Sequence, residues 1–134
     1  MRAFPFVVLL ALLAAGCDDN PLKPSDIKEV TWKLETIERA GGPTITVPTP
    51  EQYTLRLGND GRLNVRADCN QCSGTYALEG NTLKVGNVAC TLIGCPAGSL
   101  DGAYAAALGG SSTVAISDSH LILRNGEVTL RFRN

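Results

Sequence analysis

Tyr53-Thr54-Leu55-Arg56-Leu57-Gly58-Asn59-Asp60-Gly61-Arg62-Leu63-Asn64-Val65-Arg66-Ala67 is the stretch that decides the fold. Tyr53, Leu55 and Leu57 alternate with Thr54 and Arg56, and Leu63, Val65 and Ala67 alternate with Arg62, Asn64 and Arg66. Period-two alternation marks strands with one buried face, because successive side chains point to opposite sides of a sheet. Between the two runs lies Asn59-Asp60-Gly61, residue types that tolerate positive φ and so favour a tight turn. The stretch reads as a β-hairpin.

The same pattern extends outward. Upstream, Val30 to Ile37 places Trp32 and Leu34 on one face and Lys33 and Glu35 on the other; Ala40-Gly41-Gly42-Pro43 ends it. Thr44 to Pro50 carries two prolines, which suits a loop or a sheet edge. Downstream come Thr75 to Leu78, a turn at Glu79-Gly80-Asn81, and Leu83 to Val85. Three more strands centre on Val114 and Ile116, on Leu121 and Leu123, and on Val128, Leu130 and Phe132. Leu100 to Leu108 is the one helical pattern, with Leu100, Tyr104 and Leu108 on one stripe, Ser99 as N-cap, and Gly109-Gly110 ending it. The expected fold is mainly β (α+β by strict count): a small antiparallel curled sheet or barrel of about eight strands, with one short helix plugging an end or covering a gap.

The first sixteen residues form a signal-like segment, Arg2 followed by an apolar run from Phe4 to Gly16 that is too short for the ~20 residues of a membrane span. Ala14-Ala15-Gly16-Cys17 resembles the lipobox of bacterial lipoproteins. That resemblance implies cleavage before Cys17 and a lipid on its sulfur; an ordinary signal peptide cut after Gly16 and an uncleaved anchor are the alternatives. Residues 1–16 are then a signal peptide, 17–28 a lipidated cysteine with a flexible polar tether, and 29–134 the folded domain. Asp18 after the cysteine resembles an inner-membrane retention signal, which favours the periplasmic side of that membrane over the outer membrane. The 134 residues hold 12 Lys and Arg against 13 Asp and Glu. Such a balance supplies no basic footprint for nucleic acid.

Trp32-Lys33-Leu34, Asp60-Gly61-Arg62, Cys69-Asn70, Gly74-Thr75-Tyr76, Leu83-Lys84-Val85, Thr91, Cys95-Pro96, Tyr104 to Leu108 and Leu121-Ile122-Leu123 occur in one order. In this series, and most of all in Cys-Asn-x-x-x-Gly-x-Tyr, the chain resembles the META domain family of HslJ-like, heat-shock-associated bacterial lipoproteins. The likeness spans about residues 28 to 134. It implies a compact β-rich domain, an envelope location and an association with stress tolerance, and it carries no catalytic residues. Cys72 and Cys90 are additions to the family pattern, and Asp68 stands where Gly is more usual.

Cys69, Cys72, Cys90 and Cys95 allow three connectivities. In an exported chain disulfides are the default. Antiparallel apposition of the two segments pairs outer with outer and inner with inner, Cys69–Cys95 with Cys72–Cys90, and the family's own two positions match Cys69 and Cys95. Two other readings compete: a redox site at Cys69-Asn70-Gln71-Cys72, which lacks the following helix that lowers a thiol pKa, and zinc, for which Cys-x4-Cys is too wide. No metal or other cofactor is expected.

His120 is the sole histidine, in a turn; Ser111, Ser117, Asp118 and Ser119 are near it in sequence, but a triad needs its members to converge in space, and no hydrolase, zincin or phosphate-loop motif occurs. Arg56, Arg62 and Arg66 on one hairpin, with Arg131 and Arg133 on the last strand, are candidates for a basic strip facing an acidic partner; a solvated exterior is the plainer account. The expectation is a monomeric, non-enzymatic domain held to the membrane by a lipid on Cys17 and meeting another envelope protein. A barrel holding a small apolar ligand is the second reading, and thiol–disulfide exchange at Cys69 and Cys72 the third.

Overall fold

The structure is a computed structural model that describes residues 21–134. The signal segment, Cys17 and Asp18 lie outside the described residues.

Alternation becomes nine strands and one α-helix. The strands are β1 (Thr31–Arg39), β2 (Ile45–Thr46), β3 (Tyr53–Leu57), β4 (Arg62–Ala67), β5 (Asn70–Glu79), β6 (Thr82–Cys90), β7 (Gly110–Ser117), β8 (His120–Asn125) and β9 (Val128–Arg133), with α1 (Asp101–Leu108) between β6 and β7. From β3 to β9 each strand pairs antiparallel with the next. β1 pairs antiparallel with both β3 and β9, which closes an eight-stranded up-and-down barrel. Each strand of the barrel thus has two neighbours, although β6 meets β7 only along Thr82–Val85. β2 is a two-residue addition to β1 in the segment read as a loop or edge.

Inward positions are those the alternation assigned. β3 and β4 bury Tyr53, Leu55, Leu57, Leu63, Val65 and Ala67 while the residues between them face out. Asn59–Gly61 makes the turn, and Gly61 adopts φ +78°, a backbone state that costs glycine nothing.

The barrel has two poles. At one lie the β3–β4, β5–β6 and β7–β8 turns and the start of β1; at the other lie the β4–β5 and β8–β9 turns, the end of β6 and α1. The chain enters at the first pole, where Pro21 and Leu22 lie beside Gly80, Asn81 and Ile116. Trp32 closes this pole, its indole Nε1 donating to the Ile27 carbonyl at 3.0 Å. Helix α1 closes the other. Tyr104 is fully buried, donates its hydroxyl to the Thr54 carbonyl at 3.0 Å, and sits 6.1 Å from the rings of Tyr53 and of Phe132.

Four details differ from the sequence reading. Ile27, placed in the tether by its polar neighbours, is 0% exposed, and the Glu29 N–H donates to the Leu57 carbonyl at 2.8 Å. The ordered domain therefore starts before residue 29. The strands flanking the β5–β6 turn are longer than their apolar cores, because backbone pairing carries them through Asn70-Gln71-Cys72 and through Gly86 to Cys90. Cys72 and Cys90 thus stand in paired strand. The helix N-cap is Leu100. Ser99 Oγ still accepts the Asp101 N–H, at 3.2 Å, from one residue further out.

Candidate binding surface at the stapled pole

Asp68 and Cys69 turn the chain from β4 into β5, with Asp68 at φ +57°. This left-handed backbone favours glycine, and aspartate is among the few other residues that tolerate it. Cys69 is bonded to Cys95 and Cys72 to Cys90, with S–S distances of 2.03 and 2.02 Å. Cys72 and Cys90 are directly opposed in the β5–β6 register. Cys69 and Cys72 are not bonded to each other, and all four thiols of the domain are committed to cross-strand and loop staples.

The segment Thr91 to Ser99, which joins β6 to α1, contains no charged residue. Besides the Cys69–Cys95 bond, one side chain pins it. Asn70 Oδ1 accepts the Ile93 N–H at 2.8 Å and the Thr91 hydroxyl at 3.0 Å. Its Nδ2 donates to the Ile93 carbonyl at 3.0 Å and to Asp101 Oδ2 at 3.2 Å. Thr91 and Gln71 extend the β5–β6 pairing by a further step, the Thr91 N–H reaching the Gln71 carbonyl at 2.9 Å and Thr91 Oγ1 accepting the Gln71 N–H at 3.0 Å. A nearly buried carboxamide with both ends satisfied is a costly feature to leave incomplete, so it fixes the loop shape. What it holds up is Leu92, 97% exposed, and Ile93, 58% exposed. Two aliphatic side chains in water on a rigid loop are an unusual use of apolar surface.

Beside this loop the barrel wall parts. β6 pairs with β7 only from Thr82 to Val85; beyond that the chain opposite is α1 and Gly109. Gly86 and Asn87 together oppose Thr75, a bulge that bends β6 outward. The gap leaves a cavity of about 310 Å³ floored by Leu55, Leu63, Val65 and Leu108.

The five arginines proposed as a strip take separate roles. Arg56 is paired with Glu29 at 2.5 Å. Arg131 and Arg133 lie 4.0 and 3.5 Å from Glu35, whose Oε2 also contacts His120 Nε2 at 3.1 Å. Arg133 also meets Glu51 at 2.8 Å. The Glu51 carboxyl is held below its ordinary value, first by a hydrogen bond from its own backbone N–H and then by Arg133 and Lys33. Arg62 and Arg66 are exposed, and Arg66 Nε donates to the Asp68 carbonyl at 3.1 Å. The register does bring Arg133, Lys33, Thr54 and Arg66 into one cross-strand row. Lys33 was not among the candidates, and Arg62 stands at the opposite pole from Arg66. Among the described residues there is no cluster of His, Cys, Asp and Glu able to hold a metal ion.

Leu92 and Ile93 went unread in the sequence, although an uncharged aliphatic pair beside glycine, enclosed between two cysteines, is a visible signal. Asn70 appeared only as part of a motif. Its neighbours in that motif have equally concrete tasks. A Cβ on Gly74 would stand 2.5 Å from the Asn87 carbonyl oxygen, so glycine is what lets β6 bulge against β5. Tyr76 reaches across the opposite pole to donate its hydroxyl to the Gly58 carbonyl.

The fold and this pole together define a small closed β-barrel that presents a cross-linked loop. The chain belongs to the META domain family, whose model matches residues 25–134. Among solved structures it is similar to a protein from Burkholderia xenovorans determined by NMR, with a TM-score of 0.67 and 24% identity over 99% of this chain and 97% of that one. A second NMR structure matches with a TM-score of 0.63 and 21% identity over 84% of this chain and 94% of the other. At such identities the likeness establishes the shared fold. No curated protein matches the sequence.

Proposed function

We propose that this chain is a non-catalytic binding domain of the bacterial envelope, tethered through a lipid on Cys17, that holds the Leu92–Ile93 loop out to a protein partner. The observation carrying the reading is that loop: two exposed aliphatic side chains kept in place by Asn70 and by the Cys69–Cys95 staple. An exposed apolar contact on a preorganised support loses little conformational entropy on binding.

The tether agrees with it. The chain enters at the pole that carries the β5–β6 turn, while the loop follows the other end of β6. At ~3.3 Å per residue, β5 alone separates these ends by roughly 30 Å. A membrane anchor on Cys17 would therefore join the domain at the pole remote from the loop. The non-catalytic reading is supported by the engagement of His120 with Glu35 on the outer wall and by the cysteines being disulfide-bonded. An association with envelope stress follows from the family likeness alone.

The test is co-purification of cross-linked partners with the full lipidated chain, comparing wild type with Leu92→Asp/Ile93→Asp. Loss of a discrete partner in the double variant, with the melting transition retained, is the expected result. Equal recovery from both would remove the loop as the contact.

A further inference from the structure

We propose that the opening between β6 and α1 is a second, separate site, built to take the alkyl or aryl end of a small neutral molecule. The cleft, partly open to solvent, holds about 310 Å³. It falls at the lower end of the ~300–1,000 Å³ range of small-molecule pockets.

The opening is a product of specific residues. β7 stops pairing at Gly110 because α1 occupies the place where its continuation would lie, and the β6 bulge at Gly86-Asn87 moves the rim away from the helix. The rim is fixed from behind: a Cβ on Gly86 would meet Thr75 Oγ1 at 2.7 Å, and one on Gly74 would meet the Asn87 carbonyl. Cys72, in the cavity wall, is bonded to Cys90 at the end of the same rim strand. The cleft is thus preformed.

Wall chemistry selects the ligand. Leu55, Leu63, Val65, Val85 and Leu108 supply aliphatic surface, and among the described residues no charged side chain lines the space. A charged group drawn inside would lose its hydration with no counter-ion, so the part that enters is uncharged. Among the described lining residues Asn87 is the one with a polar side chain, which can meet a hydroxyl or amide on the ligand. The site does not depend on a protein partner at the Leu92–Ile93 loop.

The experiment uses residues 21–134, which hold the core described from Ile27 to Phe132 together with Leu22 packed against it. The probe is the neutral dye N-phenylnaphthylamine, read by its fluorescence rise in an apolar site. One dye should bind per chain, saturably. Ala105→Trp places an indole in the cleft from the exposed side of the helix. It should weaken binding by about tenfold or more, equivalent to ~1.4 kcal/mol or greater. Val88→Asp, which sets a charge at the rim without touching the core, should weaken it likewise if the indole disturbs folding. Ile116→Ser, an exposed apolar residue at the opposite pole, should bind as wild type. Absence of a saturable signal, or equal binding by a folded Ala105→Trp or Val88→Asp chain, would overturn the assignment.

Discussion

Asn70 holds Ile93 by both of its backbone groups, accepting its N–H at 2.8 Å and donating to its carbonyl at 3.0 Å. One side chain thereby does what a neighbouring strand would do. Asn70→Ala removes these bonds and those to Thr91 and Asp101, four in all, and with net contributions of ~0.5–1.5 kcal/mol per bond the loss should be about 2–6 kcal/mol. Asn70→Asp keeps the acceptor but sets a second carboxyl 3.2 Å from that of Asp101. It should be less stable than wild type at neutral pH and recover part of the difference near pH ~4, where one carboxyl of such a pair takes up a proton. Urea unfolding at the two pH values measures both.

The two staples close loops of 26 and 18 residues in sequence separation. Chain entropy predicts about 3–3.5 kcal/mol from each alone. Because one loop is nested within the other, removing both pairs should cost less than the sum. Cys69→Ala/Cys95→Ala should also raise amide exchange from Thr91 to Ser99, whereas Cys72→Ala/Cys90→Ala should raise it along the β6 rim. Hydrogen exchange with mass detection separates the two.

Asp68 sits at φ +57°, where a β-branched side chain meets steric strain. Asp68→Val should destabilise by ~1–3 kcal/mol. Asp68→Gly should fall within about 1 kcal/mol of wild type, because relief of strain is offset by the greater freedom of glycine in the unfolded chain. Thermal melting of the two variants checks the contrast.

Burial pushes the Tyr104 phenol well above its ordinary value, and Tyr76 is raised in the same direction by burial and then by Asp60 and Glu29. Both keep their protons in the folded barrel after the unfolded chain has begun to lose them. Stability is therefore unaffected below the unfolded phenol value of ~10 and declines as pH rises above it, toward the folded values. Tyr104→Phe should flatten that alkaline decline while lowering stability at neutral pH through the lost bond to Thr54. Denaturant titrations from neutral pH upward give the slope.

Much of the barrel was legible because alternation is a direct imprint of a wall with one wet face. Leu55, Val65, Leu123 and Leu130 could be placed on the inner side from spacing alone. What escaped reading is what spacing does not encode. Ile27 is a single apolar residue among polar ones, and only the tertiary position of Trp32 shows why it is buried. The ends of β5 and β6 carry Asn, Gln, Ser and Gly, which have no strand preference and are held extended by their partners. The pole and its cleft depend on where β7 stops pairing, a property of two distant segments. Leu92 and Ile93 could as well have been core residues; their exposure follows from Asn70 and the staples.

The central claim is that the loop, and not the opposite pole, meets a protein. Its most direct test is site-specific photo-cross-linking in intact envelopes, with the photoreactive residue placed in the lipidated chain at Leu92, at Ile93 or at Ile116. The account predicts a discrete protein adduct from Leu92 and Ile93 and none from Ile116. Adducts from Ile116 alone, or only lipid adducts from Leu92 and Ile93, would contradict it.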